Sequence, residues 1–321
     1  MVQIGYTTMC EQIPAKQLVD DALSAERAGF DYSVISDHYF PWLEEQGHSP
    51  YTWSVLGAIA YVTERIPLMT YVTCPIMRYH PAVVAQKAAT VGVLSDGRFT
   101  LGLGAGENLN EHVIGQGWPP ADTRHRMFDE ALEIISLLLQ GEYLTYHGEF
   151  FNVDSAKLYD MPESTVPIGV AASGPRSAEI AAEYGDALVI NEPQPDVVNA
   201  FVAAGGEGRP VYGQLPVSFD RDADAAKERA HRLMRWAVGG WKVMAELPGP
   251  VNFAAHTDHV RPDDVAEMVP CGPDVEPVVE AVKAYTEAGF THVALVQVGH
   301  EEQQPFLDWA EKELLPELRR L

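Results

Sequence analysis

Residues 2–36 read VQIGYTTMCEQIPAKQLVDDALSAERAGFDYSVIS, and the change of period inside this stretch decides the fold class. Residues 2–8 form a short β-rich run. Residues 15–28 then place Leu18, Ala22, Leu23 and Ala25 on one helical face and stop at Gly29, a residue type that closes helices in the left-handed conformation. Residues 32–36 are a second β-rich run. A strand, a helix and a strand in that order require a crossover, which makes the two strands parallel. Working outward, strand-like runs begin at 2, 32, 68 and 99, at intervals of 30, 36 and 31 residues, with helical stretches near 53–63 and 81–94. Hairpins would return far sooner.

Beyond Gly106 the rhythm pauses over a Pro- and Gly-containing stretch and resumes with a helix over 123–139. Residues 143–159, with their aromatic residues and His147-Gly148-Glu149, read as a hairpin insertion. Strand runs return at 166–172, 187–191, 210–218 and 292–298. With the first four they make eight parallel strands, the number that closes a (β/α)8 TIM barrel. The expectation is one domain over 1–321 with insertions near 107–122, 140–165 and 239–273. The last is rich in Gly, Pro and Asp and too long for an ordinary connection, so it reads as a lid or insertion over the barrel mouth.

The composition limits the partners. Of 321 residues, 46% are hydrophobic, enough for a large core, while 22 Lys plus Arg against 46 Asp plus Glu leave a net charge of −24. Such a surface repels nucleic acid and anionic membranes, so a small molecule is the expected ligand. Cys10, Cys74 and Cys271 are far apart and odd in number, which reads as reduced thiols. No His-Glu-x-x-His or close His cluster points to a metal. Met1 leads straight into a strand-like run and no apolar stretch reaches membrane-spanning length, so a cytoplasmic location is expected.

Barrel enzymes bind ligands at the C-terminal ends of their strands. The second strand ends in Ser36-Asp37-His38-Tyr39-Phe40-Pro41-Trp42, where His38 can take a proton near neutrality and Asp37 can orient it or a ligand. Alone, such a pair is more often a cap or a satisfied structural group. The fourth ends in Gly102-Leu103-Gly104-Ala105-Gly106-Glu107-Asn108-Leu109-Asn110-Glu111, where the glycines let a flat ligand approach the backbone. Its spacing is not Gly-x-Gly-x-x-Gly, which disfavours a Rossmann domain. The fifth runs into Ser173-Gly174-Pro175-Arg176-Ser177, a helix start able to cradle a phosphate or simply a capped helix. All three fall on one rim of the inferred barrel.

At these residues the chain resembles the luciferase-like superfamily, specifically the coenzyme F420-dependent glucose-6-phosphate dehydrogenase family. The resemblance spans nearly the whole chain and is carried by Ser36-Asp37-His38 with Pro41-Trp42, by residues 78–86 (RYHPAVVAQ) and by Gly106-Glu107-Asn108-Leu109-Asn110-Glu111. It implies a luciferase-like TIM barrel, a homodimer joined through the barrel side, and coenzyme F420 as cofactor. It implies His38 as base for a substrate hydroxyl, Trp42 as stabiliser of the reacting geometry and Glu107 as proton donor. Cofactor contacts are implied at Asp37, Cys74, Ala105, Gly106, Asn110, Ser173, Gly174, Arg176 and Ser177. A non-proline cis peptide is implied at Tyr71-Val72 beneath the deazaflavin, and substrate contacts at Glu11, Asn191 and Gln194.

Family members that bind a sugar phosphate carry a Thr and a Lys after the sixth strand and an Arg before the final helical unit. Asn191, Gln194 and Glu267 align there. Losing two cations and gaining a carboxylate disfavours a phosphate dianion. The reading is therefore an F420-dependent dehydrogenase or reductase of a small alcohol or carbonyl compound other than glucose 6-phosphate. A monooxygenase dependent on flavin mononucleotide (FMN) and a noncatalytic deazaflavin-binding protein are the alternatives.

Overall fold

Eight short strands close into a barrel in the computed structural model, which describes residues 2–321. They are β1 (Gln3–Thr8), β2 (Tyr32–Ile35), β3 (Leu68–Thr70), β4 (Phe99–Leu103), β7 (Ile168–Ala171), β8 (Ala187–Val189), β9 (Val211–Val217) and β10 (His292–Gln297). β5 (Leu144–His147) and β6 (Asn152–Ala156) form a separate antiparallel hairpin. The barrel order is β1-β10-β9-β8-β7-β4-β3-β2, and every barrel pairing is parallel, as the crossover argument requires. β2, β3 and β8 are buried at every position, because side chains face either the barrel interior or the helical shell.

The helices follow from the same units. α1 (Ala15–Ala28) buries Leu18, Ala22 and Ala25 and ends at Gly29 with φ 89°. α2 (Thr52–Val62) and α3 (Pro81–Leu94) cover the next crossovers, Pro81 opening α3 where a missing N–H costs nothing. After β4 come the single turn α4 (Asn108–Glu111) and then α5 (Ala121–Leu138), and α6 (Pro175–Tyr184) follows β7. Where β3 and β4 approach, a Cβ on Gly102 would lie 1.8 Å from the Thr70 carbonyl oxygen, so only glycine fits. Inside the barrel, Tyr32, Val34, Met69, Tyr71, Val189 and Ala294 fill the space.

Two details differ from the periodic pattern. The β-rich run at 68–73 is interrupted: β3 ends at Thr70, the Tyr71–Val72 peptide is cis, and Thr73 rejoins through a bridge to Leu103. The segment 239–273 is more ordered than its composition suggests. It holds three short helices, Trp241–Met244, Pro250–His256 and Pro262–Ala266, and its Phe253, Val260 and Val265 share an apolar cluster with Trp42, Leu43 and Leu109. Helices of four to seven residues carry too few turns to show a period. The segment is tied to the rim as well, since Asn108 N–H donates to the Ala245 carbonyl at 3.0 Å. Among the described residues no helix is long and apolar enough to cross a membrane.

Candidate active site

The loop after β2 carries His38, whose Nδ1 lies 3.1 Å from the Phe40 carbonyl oxygen. A carbonyl only accepts, so Nδ1 bears a proton and, in the neutral ring, Nε2 does not. Nε2 stands 3.2 Å from Glu107 Oε1, on the loop after β4, and 3.4 Å from Glu11 Oε1, on the loop after β1. A nitrogen lone pair cannot bond two carboxylate oxygens, so this triad holds at least one proton beyond the one on Nδ1. Glu11 is nearly inaccessible, and its other oxygen accepts from Ser36 Oγ at 2.5 Å. Burial pushes the Glu107 carboxyl above the usual carboxylate range, opposed by His38 and by a bond from Asn110.

Asn110 joins the two loops. Its Oδ1 accepts from Tyr39 N–H at 2.8 Å and Phe40 N–H at 3.3 Å, and its Nδ2 donates to Glu107 Oε1 at 2.6 Å. Behind them lies a buried charge network. Arg78 Nη2 reaches the Asp37 carbonyl at 2.9 Å and Asp37 Oδ1 at 3.1 Å, while Arg78 N–H donates to Glu111 at 2.7 Å. Asp37 also accepts from Thr73 Oγ1 at 2.7 Å, Trp53 Nε1 at 3.1 Å and Tyr79 Oη at 3.3 Å. Its carboxylate is therefore engaged by donors of the chain itself. Burial raises the Glu111 carboxyl to about 7 in spite of Arg78.

Trp42 lies 4.8 Å from the His38 ring, stacks on Trp236 at 4.2 Å with the planes 5° apart, and meets the edge of Phe253 at 5.1 Å. Together they make an apolar wall beside the imidazole. Sequence reasoning missed Trp236, Phe253 and the work of Arg78, because no local pattern shows where the inserted segment lands or what a lone Arg bridges.

The predicted phosphate corner opens α6, with Pro175 at its first position. Ser177 Oγ accepts from the N–H groups of Ser173 and Gly174 at 3.0 and 3.2 Å, so those two amides are already paired. The N–H groups of Arg176 and Ser177 stand in the first helical turn without an intrahelical acceptor. A Cβ on Gly174 would meet nothing within 4 Å, so open space adjoins them. Arg176 is exposed and paired with Glu179 at 3.1 Å and Asp129 at 3.9 Å.

Gly104 and Gly106 bring the loop after β4 against the loop after β3. A Cβ on Gly104 would lie 2.7 Å from Val72, and one on Gly106 would lie 2.4 Å from Cys74 Sγ. Ala105 is half-buried between them, and Tyr71 and Cys74 are buried. Asn191 and Gln194 follow β8, Asn191 exposed and its carbonyl accepting from Tyr285 Oη at 2.8 Å. Glu267 is exposed at the end of helix Pro262–Ala266, which packs on helix Ala223–Met234, and it shares no partner with Gln194. The structure brings together Glu11, His38, Trp42, Glu107 and Asn110. Asn191, Gln194 and Glu267 are not bonded to them.

The family described as Luciferase-like monooxygenase matches residues 2–292. The F420-dependent glucose-6-phosphate dehydrogenase of Nocardia farcinica is 34% identical, with 100% of this chain and 99% of the relative covered. That of Beutenbergia cavernae is 33% identical over 99% and 98%. Among solved structures, an F420-dependent secondary alcohol dehydrogenase in complex with an F420-acetone adduct superposes with a TM-score of 0.90 at 29% identity, covering 99% of each chain. The coenzyme F420-dependent tetrahydromethanopterin reductase of Methanopyrus kandleri gives 0.79 at 23% over 99% of each, a likeness of fold.

Proposed function

The chain belongs to the luciferase-like monooxygenase family, and from that premise we propose a coenzyme F420-dependent oxidoreductase whose substrate is a small uncharged alcohol or its carbonyl product. The cofactor and the CH–OH chemistry follow from full-length relatives named as F420-dependent dehydrogenases. The choice of substrate rests on one observation: Asn191 and Gln194, which align with the Thr and Lys that hold a sugar phosphate, place no cation in the loop after β8. A phosphate dianion there lacks a charged partner, whereas a neutral hydroxyl beside His38 meets an acceptor and the apolar wall of Trp42 stacked on Trp236.

The residues suit the cofactor. The open space at Gly174, beside the amides of Arg176 and Ser177, fits a phosphate, while Gly104 and Gly106, expected to let a flat ring approach, instead let the loop after β4 pack against Val72 and Cys74. Coenzyme F420 supplies, when bound, a deazaflavin carbon that accepts or gives up a hydride. The chain does the proton work. His38 Nε2 takes the hydroxyl proton as the substrate carbon is oxidised, and the bond from Nδ1 to the Phe40 carbonyl holds the required tautomer. The imidazolium so formed has Glu11 and Glu107 as acceptors at 3.4 and 3.2 Å. Glu107, kept protonated more readily than an exposed carboxyl, is the proton donor of the pair.

The test is a fluorescence titration with F420 and with FMN, followed by turnover of 2-propanol, acetone and glucose 6-phosphate. F420 binding with 2-propanol kcat/KM exceeding that for glucose 6-phosphate by roughly 10²-fold is expected. Efficient glucose 6-phosphate oxidation would overturn the substrate, and FMN binding without F420 binding would overturn the cofactor.

The same reading includes a homodimer. α2 contains no charged residue, and exposed Tyr61, Val62, Val83, Val93 and Leu94 make an apolar face on α2 and α3. On a chain of net charge −24, that face is where a second copy can dock without like-charge repulsion. A monomeric mass in light scattering would remove it.

A further inference from the structure

We propose that Asn110 is a positioning residue that orients the Glu107 carboxyl by holding its Oε1. The inference rests on the reading of Glu107 as the proton donor.

Asn110 is 2% exposed, and its amide can be assigned in one way only. Oδ1 receives two backbone N–H groups, from Tyr39 and Phe40, which are donors and nothing else, so the nitrogen must face Glu107. Glu107 Oε1 thus accepts from Asn110 Nδ2 at 2.6 Å while standing 3.2 Å from His38 Nε2. Oε1 is thus fixed by the amide beside the imidazole, and Oε2 is the oxygen that neither of these contacts occupies.

The contacts also close a ring. His38 Nδ1 donates to the Phe40 carbonyl, Phe40 N–H donates to Asn110 Oδ1, Asn110 Nδ2 donates to Glu107 Oε1, and Oε1 returns to His38 Nε2. Base and donor are therefore held at a set separation by one amide. α4 makes this possible, since Asn110 stands three residues after Glu107 and one helical turn carries its side chain back toward it. The resemblance gave Asn110 a cofactor contact, but its side-chain amide is bonded at both ends within the chain.

Asn110→Asp separates the roles. It is nearly isosteric and keeps an oxygen for the N–H groups of Tyr39 and Phe40, but it replaces the donor at Oε1 with an acceptor bearing charge. Both changes disfavour the Glu107 carboxylate. The other ionisable groups felt by Glu107 are His38, Glu11, Arg78, Glu111 and the Cys74 thiol, and all remain in the variant. In ligand-free protein labelled with 13C at glutamate carboxyls, the Glu107 signal is identified by its loss in Glu107→Gln. Its midpoint should rise by about one pH unit in Asn110→Asp, and by less in the uncharged Asn110→Ser. F420 dissociation constants should stay within about threefold of wild type. An unmoved Glu107 midpoint in both variants would overturn the proposal, and with a tenfold or so weaker F420 affinity it would return Asn110 to cofactor binding. Because the titration needs no cofactor, a wild-type chain that fails to bind F420 counts against the functional reading alone.

Discussion

The two edges of the barrel mouth are built on opposite plans. On the edge formed by the loops after β2, β3 and β4, Asp37, Asn110 and Glu111 are at most 3% exposed, and each is bonded to a group on another loop. On the edge formed by the loops after β7 and β8, Ser173, Arg176 and Asn191 are exposed, and the bonds of Arg176 go to surface carboxylates. The first edge is organised before any ligand arrives. The second offers amides and open space that the chain itself does not fill. Groups that handle a proton need fixed separations, whereas an anion can be held by whichever donors converge on it.

The contrast can be broken most directly at His38. His38→Ala should lower kcat by roughly 10²–10⁴-fold with F420 affinity largely kept; a fully active variant in steady-state assays would end the assignment of chemistry to this edge. Next in size is Arg78→Met, which leaves Asp37 and Glu111 buried without their cation. A loss of about 3–5 kcal/mol in urea unfolding is expected, because breaking a buried pair strands its partner, and a loss typical of surface pairs would show that the edge is not cross-bonded as described.

The third effect is a pH dependence. Burial holds the Glu111 midpoint at about 7 in the folded chain, well above its unfolded value. The folded state therefore binds more protons between those two midpoints, so this group's contribution to stability is fully present below the unfolded midpoint. It is lost as pH climbs toward about 7. Glu111→Gln removes the slope, and its melting temperature should gain on wild type from pH 5 to about pH 7 and then level off; a constant difference would refute it. The smallest effect belongs to the open edge. Arg176→Ala should weaken F420 binding by only about 2–10-fold and leave kcat unchanged, since exposed pairs contribute little.

Much of this site was legible in the amino-acid order because strand ends in a parallel barrel point one way. Once the spacing announced βα units, His38, Glu107 and Ser173 to Ser177 had to share a rim, and the family resemblance supplied roles for them. The bonds among them were not legible. Arg78 meets Asp37 across 41 residues and Glu111 across 33, and Asn110 meets Tyr39 across 71. Trp236 comes from a short helical stretch at 235–239, far along the chain from the tryptophan it stacks on. A lone Arg, Asn or Trp carries no periodic mark of such partners.

The amino-acid order alone therefore determined the repeating units, the parallel closure and the set of loops that face one another, since these depend on local periodicity and on the handed crossover between neighbouring strands. Only the tertiary structure decided which oxygen of Glu107 is held, that Asp37 is saturated by its own neighbours, and that the 239–273 segment folds onto Trp42. Those outcomes turn on ångström separations between side chains from distant segments. A hydrogen bond or a ring stack exists only when such groups arrive at the right distance and angle, which packing sets and sequence spacing does not.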